Sequence, residues 1–146
     1  MPIRLILMAN TSPNRKIDKI IASAIGRRKT SIASVRLLSG TAEMTVNGKP
    51  ISQYFPGAVA KNRYSQPFVA AGVTKYTATA KAHGGGIFGQ LDAVVLGLSR
   101  ALVTASEKLK SPLRQAGLLT RDSRKRQRRM IGMGGKSRRK RQSPKR

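Results

Sequence analysis

The amino-acid sequence predicts an α+β fold, in which a small mixed sheet packs against one long helix and a long, extended basic tail follows. Three observations lead to this expectation. Apolar and polar residues alternate in three segments between residues 33 and 82, which is the pattern of half-buried strands. An apolar stripe with helical spacing runs from Leu91 to Leu109. Beyond Thr120, Lys and Arg dominate the composition.

The first two predicted strands form a hairpin. Residues 33–37 and 42–46 both alternate between apolar and polar side chains, and Ser39-Gly40-Thr41 separates them. A short turn with glycine between two such segments is typical of a β-hairpin with one buried face. The turn residues Asn-Gly-Lys-Pro at 47–50 then end the second strand.

The next elements are a helical connection and a third strand. Residues 51–64 have a mixed pattern and are predicted to form one or two short helices around Pro56-Gly57. Residues 75–82 alternate again, with Tyr76 and three alanines on one face and Lys and Thr on the other. This strand is expected to complete the sheet and to present its polar face to solvent or RNA.

The strongest helical pattern follows the glycine triplet 84–86. Apolar residues then recur at spacings of four and three, which predicts a helix of about twenty residues over 87–109. Pro112 is predicted to start a second short helix, which Gly117 ends. The expected organisation is a flexible N-terminal extension at 1–25, a globular RNA-binding α+β domain at 26–120 and an RNA-threading tail at 121–146.

The tail has the composition of a phosphate-binding segment. Residues 121–146 carry 13 Lys or Arg side chains and one acid, Asp122. Met130, Ile131 and Met133 are too few apolar side chains to offset backbone ordering of about 1–2 kcal/mol per residue. We therefore expect the tail to be disordered in the isolated protein. Fully extended, it would span roughly 85 Å at about 3.3 Å per residue.

The net charge of +25 predicts a polyanionic partner. Nucleic acid is favoured over membrane, because no uninterrupted apolar run approaches the ~18 residues of a spanning helix and the tail lacks an apolar face. Residues 3–8 form an apolar patch that is short for a signal sequence; a variable extension is favoured over an organelle-targeting remnant.

The chemistry-bearing residues argue against an enzyme. The chain has no cysteine and one histidine, so neither a thiolate metal site nor a catalytic histidine cluster is available, and no cofactor is expected. A small RNA-processing enzyme is disfavoured because no two acids stand together to hold catalytic Mg²⁺. The acids are Asp18, Glu43, Asp92, Glu107 and Asp122.

Four features can be interpreted either as RNA contacts or as ordinary structure. The triplet 84–86 could cradle a phosphate or form a tight turn without a ligand, and its spacing does not distinguish the two; it fits neither a Walker loop nor a dinucleotide motif. For the stripe of small residues from Gly89 to Ala101, close packing is favoured over approach of RNA. For the charged segment 27–29, contact with phosphate is favoured over charges that are only solvated. His83 favours hydrogen bonding or stacking over general base catalysis.

Residues 84–102, beginning Gly-Gly-Gly-Ile-Phe-Gly-Gln, resemble the signature of the small-subunit ribosomal protein S9 family at each constrained position. Further similar segments occur in the family's order, so that the resemblance covers about residues 26–146: Gly26 to Ser31, Val46 to Pro50, Tyr54-Phe55, Leu119 to Asp122 and Lys145-Arg146. The resemblance implies a body like the second domain of ribosomal protein S5, bound to the head of the small subunit. It also implies a tail threaded through ribosomal RNA, with its last basic residues near the anticodon stem-loop of the tRNA in the peptidyl site.

The charge pattern and the resemblance together give an expected set of contacts. Lys145 and Arg146 are expected to contact tRNA. The expected ribosomal RNA contacts are Arg27, Arg28, Lys29, Lys81, His83, Gly84, Gly85, Gly86, Gln90, Arg100, Arg114, Arg121, Arg124, Lys125, Arg126, Arg128, Arg129, Lys136, Arg138, Arg139, Lys140 and Arg141.

The resemblance implies a non-enzymatic structural constituent of the small ribosomal subunit that is not a homo-oligomer. Its expected partners are small-subunit ribosomal RNA, tRNA in the peptidyl site and neighbouring head proteins. The ribosome would lie in a bacterial cytoplasm, a plastid or a mitochondrion. A free RNA chaperone or a histone-like nucleic-acid-binding protein would share the charge and the tail, but it would not explain the nineteen-residue match.

Overall fold

In a computed structural model that describes residues 20–132, five strands form one sheet and helices cover one of its faces. The strands are β1 (Ile20–Arg28), β2 (Ser31–Ser39), β3 (Thr45–Val46), β4 (Lys49–Pro50) and β5 (Tyr76–His83). The helices are α1 (Ile51–Tyr54), α2 (Ala58–Ala71), α3 (Ile87–Ala105) and α4 (Lys110–Gln115), with a 3-10 helix at Glu107–Leu109.

The sheet is mixed, with the strand order β1-β2-β5-β3-β4. β2 lies between two antiparallel neighbours, so that Val35 is aligned with Ala24 of β1 and with Ala80 of β5. β3 runs parallel to β5 and antiparallel to β4. The predicted α+β class, a mixed sheet packed against one long helix, is confirmed.

The predicted hairpin between residues 33–37 and 42–46 is wrong. β3 pairs with β5, while β2 forms its hairpin with β1 through a turn in which Lys29 has a φ of 52°. β1 begins at Ile20, inside the segment expected to be an extension. The hydropathy pattern of β1 is the reverse of the usual one. The small residue Ala22 is buried on the side that faces α3, whereas the larger Ile25 is 49% exposed. Hydropathy alone therefore gives no sign of which face of β1 is internal.

The core lies between the sheet and α3. Val94, Leu98 and Leu102 of α3 are fully buried against Val35 and Leu37 of β2, and burying large aliphatic side chains of this kind stabilises the fold by about 1.5–3 kcal/mol each. The predicted stripe is confirmed, but the α-helix ends at Ala105 because Ser106 is extended, and Leu109 belongs to the 3-10 helix. By length and composition α3 could cross a membrane, yet 56% of its apolar window is buried within the fold.

A seam of small residues joins β1 to α3. A Cβ atom added at Gly26 would overlap the carbonyl oxygen of Ala93 and would lie 2.5 Å from the backbone nitrogen of Gly97. At Gly97 a Cβ atom would lie 2.8 Å from a methyl group of Val35. The packing interpretation of the small-residue stripe is therefore confirmed, since the strand approaches the helix more closely than any larger side chain allows.

The remaining predicted elements are present with different boundaries. The connection contains two helices, and α2 continues through Pro67 to Ala71. α4 begins at Lys110, two residues before the proline expected to start it. Gly117, at a φ of 71°, ends this helix as predicted, and the N–H of Leu118 donates to the carbonyl of Leu113 over 3.0 Å.

Candidate nucleic-acid interface

The face of β2 and β5 that lies opposite α3 is polar and basic. Strand register places Ser34 beside Lys81 and Arg36 beside Thr79, and all four side chains are exposed. His83 is exposed at the end of β5. These residues line a shallow depression that has no acidic side chain among its described lining residues. We refer to Ser34, Arg36, Thr79, Lys81 and His83 as the open face.

Arg36 was not among the expected RNA contacts, although its position could have been found from the sequence. It lies between the buried residues Val35 and Leu37, and the strand period places it on the opposite face from them. Arg27 of β1 is also exposed, and the register places it opposite Ile32 of β2. The open face therefore carries basic groups from three adjacent strands.

The glycine triplet is shaped by contact with the β1–β2 turn. Gly84 and Gly85 have φ values of 74° and 62°. A Cβ atom on either residue would collide with Thr30 or Ser31. The Ser31 hydroxyl donates to the carbonyl of Gly84 over 3.0 Å. Two of the three glycines are thus needed for a tight turn, and the phosphate cradle stays a prediction.

The Gln90 side chain connects the glycine triplet to Tyr54 of α1. Its Nε2 donates to the carbonyl of Gly84 over 3.1 Å, and its Oε1 accepts from the Tyr54 hydroxyl over 2.8 Å. The Asn47 amide donates to the Tyr54 hydroxyl over 3.1 Å and also pairs with the backbone of Ala82. The expected contact of Gln90 with RNA stays a prediction, and the structure gives its side chain two hydrogen bonds within the protein.

Arg28 is similarly engaged within the protein. Its Nε lies 3.5 Å from Asp92, its Nη2 lies 2.8 Å from Asp122, and its Nη1 donates to the carbonyl of Arg124 over 2.9 Å. The side chain is only 13% exposed. Arg124 in turn binds Asp122 with Nε and Nη2, the shortest contact being 2.7 Å. Arg28 and Arg124 were both expected to bind RNA, and the structure pairs both with protein groups.

The Asp122 carboxylate is strongly stabilised in its charged form. Hydrogen bonds from the Arg124 side chain and backbone, followed by the charges of Arg124 and Arg28, hold the pKa of Asp122 well below its usual value. Because this folded-state pKa is depressed, the ion pairs are complete above the unfolded value of about 4 and are lost only as the pH falls through the depressed pKa. The network is therefore intact at physiological pH.

The other expected contact residues in the described part of the chain are at the surface. Lys29 is exposed at the β1–β2 turn, Arg100 donates to the carbonyl of Ile25 over 3.0 Å, and Arg114 stands with Lys108 and Lys110 near Glu107. The exposed basic residues of the proximal tail are Arg121, Arg124, Lys125, Arg126, Arg128 and Arg129. The following residues lie outside the described range: Lys136, Arg138, Arg139, Lys140, Arg141, Lys145 and Arg146.

Two further properties bear on the chemistry of the surface. Ile87 and Phe88, which directly follow the triplet, are 62% and 76% exposed. Within residues 20–132, no three His, Asp or Glu side chains are grouped so that they could hold a metal ion. The surface next to the glycine turn therefore carries an exposed aliphatic side chain and an exposed aromatic ring beside the basic group of Lys29.

Residues 26–146 match the protein family described as "Ribosomal protein S9/S16". Curated relatives carry the description "Small ribosomal subunit protein uS9". The relative from Maridesulfovibrio salexigens is 44% identical over 113 residues, which is 77% of this chain and 87% of that protein. The relative from Mesoplasma florum is 43% identical over 119 residues, covering 81% and 91%. The relative from Gloeothece citriformis is 43% identical over 124 residues, covering 80% and 86%.

Proposed function

Because the chain belongs to the ribosomal protein S9 family and is a non-enzymatic structural constituent of the small ribosomal subunit, we propose that its open face and its tail bind small-subunit ribosomal RNA. The observation that carries this proposal is the open face itself. It presents Arg36 and Lys81, and Arg27 of the next strand adds a third basic group, while no acidic side chain is among the described residues that line the open-face depression. Such a surface neutralises closely spaced phosphates and releases their counterions.

The segments around the glycine triplet support a second region of contact. Lys29 and the triplet are adjacent because Gly84 and Gly85 pack against Thr30 and Ser31. Phe88 is 76% exposed in the same region, and exposed aromatic rings are platforms for stacking of unpaired bases. We propose that this end of the body contacts RNA through Lys29, His83 and the triplet backbone. Gln90 supports the triplet from within.

We further propose that the body, which includes β1 from Ile20 and ends near residue 120, lies in the head of the small subunit, and that the tail at 121–146 threads through ribosomal RNA. Lys145 and Arg146 would reach the tRNA in the peptidyl site. The family match extends to residue 146, which supports the assignment of these last two residues. The relatives compared above come from bacteria, which supports a bacterial-type ribosome for this chain.

The open face can be tested by removing two of its charges. The double variant Arg36→Gln with Lys81→Gln is expected to weaken binding to naked small-subunit RNA by roughly tenfold for each lost phosphate contact. The slope of log K against log salt should become shallower by about 1.4–1.8, since each contact contributes about 0.7–0.9. Both quantities are measured by filter binding over a series of salt concentrations.

Lys61→Gln with Lys108→Gln is the matched control. Both lysines are exposed on helical elements and neither belongs to the open face, so the control loses the same charge at other positions. An equal effect of the two double variants would show that net charge, and not the open face, determines RNA affinity.

A separate prediction concerns the tail tip. Removing residues 143–146 is expected to leave the yield of small subunits normal and to weaken tRNA retention in the peptidyl site by about tenfold or less, because partly exposed charge contacts contribute only about 1 kcal/mol. Filter binding of tRNA to purified subunits measures this directly. Lys145→Gln with Arg146→Gln should reproduce the defect at full length. Normal retention in both variants would remove the tRNA role, and a loss of subunits would assign these residues to assembly.

A further inference from the structure

We propose that Arg28 and Asp122 form a clamp that sets the direction in which the tail leaves the body, so that Arg28, Asp122 and Arg124 are positioning residues and not RNA ligands. This inference rests on the proposed role of the tail as an RNA-threading segment. It adds to that role a device in the body that aims the tail before RNA is bound.

The geometry of Arg28 is that of a three-way connection. Each nitrogen of its guanidinium faces a different partner: Nε faces Asp92 of α3, Nη2 faces Asp122, and Nη1 faces the backbone carbonyl of Arg124. Its own backbone lies at the end of β1. The guanidinium therefore connects the sheet, the long helix and the first residues of the tail through one rigid, planar group.

The first residues of the tail, 122–124, are also bonded to one another. The backbone N–H of Arg124 donates to Asp122 over 2.9 Å, and the Arg124 guanidinium binds the same carboxylate in bidentate fashion. Residues 121–130 contain no helix or strand. Hydrogen bonds and ion pairs at 122–124 consequently determine the local path of this segment.

The charge distribution supports the same conclusion. Asp122 is the one acid among 13 Lys and Arg residues in 121–146, and an acid in a segment that threads through phosphates would weaken the attraction. Its position at the root, bound to two arginines, explains why it is present. Asp122 is 31% exposed and Arg28 is 13% exposed, so these charges interact with less solvent screening than a pair in open solution.

A fixed exit direction changes how the tail meets RNA. A tail that leaves the body at a defined angle samples fewer conformations before binding, so less freedom is lost when it is threaded. Arg28 and Arg124 contribute to RNA binding by this pre-ordering and not by touching phosphate.

The test uses two matched substitutions with opposite expectations. Asp122→Asn and Glu107→Gln both raise the net charge by one, and Glu107 lies exposed on the 3-10 helix and is not one of the three partners of Arg28. If charge alone mattered, both variants would bind ribosomal RNA slightly more tightly than the parent. The clamp predicts that Asp122→Asn weakens binding by about threefold to tenfold, the range for one or two side chains that lose their pre-ordering, whereas Glu107→Gln does not.

The position of the tail is measured separately. The chain has no cysteine, so Gln127→Cys supplies a unique attachment point on the tail, three residues beyond the clamp. A spin label there reports mobility in the free, full-length protein. An iron chelate at the same position reports, by hydroxyl-radical cleavage, which nucleotides the tail approaches in reconstituted small subunits.

The clamp is supported if Asp122→Asn and Arg28→Gln both increase label mobility and spread the RNA cleavage over more nucleotides, while Glu107→Gln leaves both unchanged and Asp122→Glu partly restores them. Unchanged mobility in Asp122→Asn overturns the clamp. Increased mobility with an unchanged cleavage pattern overturns its positioning role. Absence of any RNA cleavage from the parent label would overturn the proposed tail function instead, and the mobility measurement would still decide the clamp.

Discussion

Replacing Gly26 with alanine is expected to destabilise the body by about 3 kcal/mol or more, the upper end for overpacking, because the new methyl group would overlap backbone atoms of Ala93 and Gly97 that cannot move independently of α3. For a domain of this size the melting temperature should fall by about 12 °C or more. Urea unfolding followed by circular dichroism measures the change in the free energy of unfolding.

Gly86→Ala is the matched control for this substitution. Gly86 has a φ of −110°, and no atom lies within 4 Å of a Cβ placed there, so the same added methyl group should cost under about 1 kcal/mol. A cost below about 1 kcal/mol for Gly26→Ala as well would contradict the close approach of β1 to α3.

The second large effect is expected from deletion of residues 125–146, which leaves the clamp intact and removes 11 of the 30 Lys and Arg residues. If each removed side chain contacts one phosphate, the slope of log K against log salt becomes shallower by up to about 8–10. Binding to small-subunit RNA should then keep only the salt dependence of the body contacts, whereas the full-length chain should lose about 10³-fold or more between about 50 mM and about 200 mM salt.

A full-length variant with all 11 of these residues changed to Gln separates charge from reach. The salt dependence should be that of the deletion, because the charges are absent, and the free energy of unfolding of the body should be unchanged in both. An unaltered salt slope in either variant would show that the tail does not bind phosphate.

Much of the fold could be predicted because its signals are local. The spacing of Leu91, Val95, Leu98 and Leu102 identifies the core helix, since a helix that covers a sheet must present one apolar face. The alternation in β5 identifies a strand with one buried face for a similar reason. The family match over residues 26–146 confirms the family resemblance. That resemblance rests largely on the segment that contains the core helix.

The pairing of the strands and the partners of the charged side chains could not be predicted, because both depend on residues far apart in sequence. The alternation at 42–46 is consistent with a strand but does not say that β3 pairs with β5. The charged segment 27–29 contains one arginine that is exposed and one that is 13% exposed, and only the positions of Asp92 and Asp122 distinguish them. Sequence reasoning therefore identified basic residues but not which of them have partners within the protein, and their contacts with RNA stay predictions.

The close contact between Gly26 and α3 also constrains when the protein can fold during synthesis. Ala93 and Gly97 follow Gly26 by about seventy residues, and contacts so distant in sequence form slowly. Until β5 has left the ribosomal exit tunnel, β1 and β2 have only each other, and an isolated two-stranded hairpin is at best marginally stable in water. Until α3 follows, the apolar face of the sheet stays uncovered. The nascent chain is therefore unfolded, with its positive charges exposed, during most of its own translation.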